Sequence, residues 1–119
     1  MTKTYDLEDR TLEFAKEVRR FVKQLPKHTA NFEDGKQVVR SSGSVGANYI
    51  EANESLSKKD FIMRIKICRK EAKESRYWLR LIDTDNSRAL TNQCQKLTKE
   101  SQELMNIFGA ILHLKFPEN

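Results

Sequence analysis

The segment Arg40-Ser-Ser-Gly-Ser-Val-Gly-Ala-Asn-Tyr-Ile-Glu-Ala52 decides what this chain can fold into. Residues 41–46 hold three Ser and two Gly, the usual punctuation of a turn. Yet Val38, Val45, Tyr49 and Ala52 recur through it at helical spacing, with Ser42 on the same line. Gly35, Gly43 and Gly46 each cost a helix about 1 kcal/mol against Ala, so propensity alone predicts a break. The stripe continues in phase on both sides and predicts one helix over about 32–54, with Asn31 and Asp34 as its start signal. Its side chains are mostly tiny, so something must come very close to it.

Three further stripes follow the same logic. Asp6 is a natural N-cap for a helix over about 7–25, with Leu7, Thr11, Phe14, Val18, Phe21 and Leu25 on one face and Pro26 as its stop. Ser57 and Asp60 open a helix over about 58–83, whose stripe is Phe61, Ile65, Cys68, Ala72, Ser75, Leu79 and Ile82. After a turn at residues 83–87, a helix over about 88–114 carries Leu90, Cys94, Leu97, Ser101, Leu104, Phe108 and Ile111, and Pro117 ends it. Four amphipathic helices on short connections predict an all-α chain, an antiparallel up-down-up-down four-helix bundle. Its 119 residues form one domain, over 1–119, large enough to bury roughly two-thirds of the unfolded surface.

Composition excludes several classes. No run approaches the ~18 apolar residues of a membrane span, and the N-terminus lacks an apolar targeting core, so the expectation is a cytoplasmic protein without a membrane partner. Cys68 and Cys94 are the only cysteines and form no CxxC, so they read as reduced core thiols rather than a disulfide framework or a metal site. His28 and His113 have no obvious partner and read as solvated. There is no phosphate loop, nucleophile elbow or HExxH helix, so no catalytic residue, metal or cofactor is assigned and the chain is expected not to be an enzyme.

The net charge is +5, and residues 58–80 carry nine basic and three acidic side chains, a net of +6. The rest of the chain is close to neutral. On the third helix Lys59, Lys66, Arg69, Lys70, Lys73 and Arg80 fall within a sector of ~100° away from the core stripe, together with Tyr77. A row of cations on a rigid helix suits the phosphates of nucleic acid, and an aromatic among them could stack on an unpaired base. The bland alternative is a solvated helix face.

A separate sector holds Met63, Ile67, Glu71, Glu74 and Trp78, a mixture that suits a subunit contact. The alternative is that Trp78 covers the core edge. The second helix carries a polar track of Arg40, Ser44, Ala47, Asn48 and Glu51. Arg40 is expected to reach Glu71 and Glu74, and Glu51 to reach Lys70 or Arg69, in a network that fixes helix register. On another side Val39, Gly43, Gly46 and Ile50 form a small-residue seam. Arg19, Arg20, Lys23 and Lys27 form a second basic patch at the end of the first helix.

The segment 40–52, then Ser57-Lys-Lys-Asp-Phe61, then Lys70-Glu-Ala-Lys-Glu-Ser-Arg-Tyr-Trp-Leu79 resembles the signature of the bacterial four-helix-bundle family, also called the 23S rRNA intervening-sequence proteins. Asp6-Leu-Glu-Asp-Arg-Thr-Leu-Glu-Phe-Ala15 and Leu25-Pro26 resemble its first helix, and the last helix matches in pattern only. The resemblance implies a left-handed bundle assembling into a pentameric ring. It also implies a fold similar to the accessory protein of diversity-generating retroelements, a basic pentamer that binds reverse transcriptase and RNA. It carries over no catalytic residue. The expectation is therefore a homo-oligomer that binds RNA or a nucleoprotein through the third helix, the alternative being an oligomeric scaffold that recruits a protein partner. A nuclease-like use of Glu51 with Lys70 or Arg69 is the remaining alternative.

Overall fold

The computed structural model describes residues 6–115, which form four helices: α1 (Leu7–Lys23), α2 (Thr29–Asn53), α3 (Lys58–Leu81) and α4 (Arg88–Lys115). The expected stop at Pro117 lies outside the described residues. The four stripes converge on one core, in which Phe14, Val18, Phe21, Val38, Val45, Ile65, Cys68, Leu79, Leu104 and Phe108 are buried. Each helix packs on its neighbours in sequence, and α4 returns to α1.

The pairings run antiparallel. Gly35 faces Val22 and Gly46 faces Thr11 across α1–α2. Ser41 meets Ser75 while Asn48 meets Arg64 across α2–α3. Cys94 meets Leu79 while Gly109 faces Arg69 across α3–α4. Arg10 meets Glu100 while Gln24 meets Gln93 across α1–α4.

The glycine-rich segment is continuous helix within α2, and none of its glycines has a positive φ. Their role is space. A Cβ on Gly46 would lie 3.0 Å from Thr11 Oγ1, and one on Gly35 would lie 3.1 Å from Val22 Cγ1. The seam is therefore where α1 settles onto α2.

Helix boundaries differ from expectation around the α1–α2 and α3–α4 loops. α2 begins at Thr29 with His28 as N-cap, three residues before the expected start at 32. Asn31 is not the cap but a buried tie: its Nδ2 donates to the carbonyls of Pro26 and Asp83 at 3.0 and 2.9 Å, and its Oδ1 accepts from Asp83 N at 3.1 Å. That tie draws Asp83 out of helical conformation, so α3 ends at Leu81 rather than 83. Likewise α1 ends at Lys23, two residues before the expected 25, because the chain turns at Gln24 ahead of Pro26. The α3–α4 turn uses positive φ at Asp85 and Asn86, residue types that tolerate the left-handed region. Asp83 Oδ1 accepts from Asp85 N at 2.8 Å to close it.

Candidate nucleic-acid interface

Ser57 caps α3 by accepting from Asp60 N at 3.1 Å, and the helix then runs unbroken for 24 residues. With its stripe buried against α2 and α4, the opposite side is left to solvent. Lys59, Lys66, Arg69, Lys70, Lys73 and Arg80 are all exposed there. None makes an ion pair or hydrogen bond with another described residue. The exposed Tyr77 ring stands in the same sector. Between Lys59, Lys66 and Lys70 the surface dips to an apolar floor of Ile62, Met63 and Ile67. No carboxylate lies in this sector, because Glu71 and Glu74 point toward α2.

There the two carboxylates meet Arg40. Its guanidinium donates to Glu71 Oε2 at 3.0 Å and to Glu74 Oε2. Glu71 is buried, and the Arg40 guanidinium is its charged partner. Burial opposes the Arg40 charge, but the hydrogen bond to Glu74 and the nearness of Glu71 outweigh it and hold its pKa above the ordinary guanidinium value. Trp78 Nε1 donates to the same Glu74 oxygen at 3.1 Å, and its half-buried ring packs against the core edge. Met63 stays exposed and Ile67 half-buried beside it. Two turns along α2 from Arg40, Asn48 Nδ2 donates to Ser44 O and Oγ, both at 2.9 Å.

Two expected contacts are corrected. Glu51 does not reach Lys70 or Arg69: it is exposed at the C-terminal end of α2, where its carboxylate bonds to no other described residue and its backbone carbonyl accepts from Ser55 Oγ at 3.1 Å. The inter-helix bond there is instead Arg64 Nη1 to Asn48 Oδ1 at 2.9 Å. Arg64 lies on the α2-facing side of α3, so helical phase was the signal that could have found it. In the second basic patch Arg20 is neutralised by Glu13 and Glu17, at 2.8 and 2.5 Å, which leaves Arg19, Lys23 and Lys27. The reason is local: Glu13 and Glu17 sit two turns and one turn before Arg20 on the same face.

Two other groupings escaped the sequence. Arg10 grips Glu100 through two hydrogen bonds of 2.8 and 2.7 Å and reaches Glu103 at 3.3 Å, closing the bundle between α1 and α4. His28 is not simply solvated: Nδ1 caps α2, and Nε2 lies 3.3 Å from Asp83 Oδ2 without hydrogen-bond alignment. Both thiols are free; burial pushes Cys68 up to about 12 and raises Cys94 as well. Among the described residues no group of three potential ligands could hold a metal ion, and no helix is long and apolar enough to cross a membrane.

The family model for the 23S rRNA-intervening sequence protein matches residues 3–110. Among solved structures, the chain is similar to a protein of unknown function from the S23 ribosomal protein family of Bacteroides thetaiotaomicron. The two are 30% identical with a TM-score of 0.75, over 90% of this chain and 98% of the other. No curated protein matches the chain.

Proposed function

Because the chain belongs to the 23S rRNA-intervening sequence protein family, we propose that it is a non-enzymatic, self-associating cytoplasmic bundle that binds RNA or a nucleoprotein through the outer face of α3. One observation carries the reading. Lys59, Lys66, Arg69, Lys70, Lys73 and Arg80 share an acid-free face and have no partner among the described residues. By contrast, three arginines on other faces, Arg10, Arg20 and Arg40, are matched to carboxylates. Free cations on a rigid rod keep their full charge for phosphates, and each contact releases a condensed counterion.

Six such contacts give a steep salt dependence, a loss of about a thousandfold between 50 and 200 mM salt. The test is fluorescence anisotropy with structured RNA across that range, comparing wild type with Lys66→Glu, Lys70→Glu and Lys73→Glu combined. Flat salt dependence, or a triple variant that binds as well as wild type, overturns the assignment. Self-association is supported by Met63 and Leu81, 46% and 50% exposed near opposite ends of α3, on the side that also carries half-buried Trp78. Light scattering that finds a folded monomer at micromolar concentration removes that part of the reading.

A further inference from the structure

The outer face of α3 is continuous with a second feature. Between α3 and α4 runs an open trough of about 450 Å³ lined by Arg76, Arg80, Thr84, Gln95, Thr98 and Lys99, among others. Its charged lining is wholly basic: two arginines come from α3 and one lysine from α4, and no carboxylate contributes. Arg76 is half-buried, and neither it nor Lys99 bonds to any other described residue. An anion seated there would meet these cations with no carboxylate of the lining to compete.

The remaining lining is that of a reader rather than a simple anion hole. Ile82 and Cys94 make an apolar floor above buried Leu79, and the Cys94 thiol is turned inward, donating to Leu79 O at 3.2 Å. The exposed Gln95 amide carries both donors and an acceptor and is bonded to no other described residue. Gln102 sits along the same wall and keeps its carbonyl oxygen while its amide nitrogen donates to Asn106 at 3.1 Å. Arg80 belongs both to this trough and to the outer row of cations.

We infer that this trough seats an unpaired nucleotide of a single-stranded segment whose phosphates follow the outer face of α3. The inference rests on the proposed nucleic-acid reading. The strand enters at Arg80, the phosphate lies between Arg76 and Lys99, and the base packs on the Ile82–Cys94 floor against the guanidinium plane of Arg76. Gln95 and Gln102 meet its edge. Arginine planes and amide side chains are the groups that stack on and read exposed bases. The open shape suits a passing strand, whereas a duplex would be held by the outer face alone.

The test is fluorescence anisotropy of the full chain with a labelled oligoadenylate dodecamer, an abasic dodecamer of the same backbone, and a polyglutamate peptide as competitor. Wild type is expected to bind the base-bearing strand about tenfold more tightly than the abasic one. Arg76→Ala with Gln95→Ala is expected to bring the two strands within about twofold of each other, while Lys66→Glu with Lys70→Glu weakens both by one factor and keeps their ratio. Gln95→Ala alone, at an exposed position that cannot compromise folding, lowers the ratio by a smaller step. Equal binding of both strands by wild type, an unchanged ratio in the Arg76→Ala, Gln95→Ala variant, or displacement by polyglutamate as effective as by oligoadenylate overturns the trough inference and leaves the outer face standing. If neither strand binds while structured RNA does, the trough inference falls and the outer-face reading stands; if structured RNA fails to bind as well, both fall.

Discussion

Replacing Gly46 with alanine tests whether the glycines of α2 exist for space or are merely tolerated. Propensity alone favours the substitution by about 1 kcal/mol, since Gly46 is in mid-helix without positive φ. Packing opposes it. The new Cβ would lie 3.0 Å from Thr11 Oγ1 and 3.3 Å from Thr11 Cβ, with the Thr11 backbone carbon at 3.7 Å. Thr11 is 1% exposed and its Cβ moves only if α1 moves. Overpacking of this kind costs about 1–3 kcal/mol, so the net expectation is destabilisation by about 1 kcal/mol. In a chain of this size that lowers Tm by about 4 °C. Gly109→Ala is the control: its nearest contact is Arg69 Cδ at 3.9 Å, so propensity wins and Tm rises by a few degrees, about 3 °C. Thermal melts followed by circular dichroism decide both. A Gly46→Ala variant more stable than wild type would refute the close-approach argument. So would a Thr11→Ala background in which Gly46→Ala is no better tolerated.

Three further outcomes are expected. Ser41→Ala or Ser75→Ala alone costs about 1 kcal/mol in urea melts, because their hydroxyls share a buried 2.8 Å bond, while the double variant costs less than the sum of the two. Arg40→Ala strands buried Glu71 and costs about 1 kcal/mol after allowing for the half-exposed guanidinium, whereas Glu51→Ala stays within about 0.5 kcal/mol; equal effects would contradict the observed network. The Cys68 thiol is pushed up from 9.0 to about 12 by burial, so its contribution is complete below its unfolded value and is lost as pH rises from about 9 toward about 12. Chemical denaturation across that range should show stability falling with pH, with a shallower fall in Cys68→Ala, and native Cys68 should resist alkylation at pH 8.

The stripes were legible because burial on one face of a helix imposes a periodicity that survives even glycine and serine. Leu7 to Leu25 and Phe61 to Leu79 needed nothing beyond that rule. The pairing of Arg40 with Glu71 and Glu74 was also within reach, because all three lie in phase on facing helices. The boundaries near Asn31 and Asp83 were not, since they depend on a tie between the first turn of α2 and a loop residue 52 positions away. Glu51 was placed wrongly because phase gives direction but not axial level, and its end of α2 is out of reach of Lys70.

The all-helical bundle, its core faces and the concentration of positive charge on one helix were all readable along the chain, because periodicity and charge are properties of a linear pattern. Which charges remain free depends instead on how the helices pack. Carboxylates are shared out by distance: Glu71 and Glu74 go to Arg40, Glu100 goes to Arg10, and the outer face of α3 is left with none. The trough between α3 and α4 is of the same kind. Arg76 and Lys99 belong to different helices, and only the packing of one helix against the other puts their charges around one space.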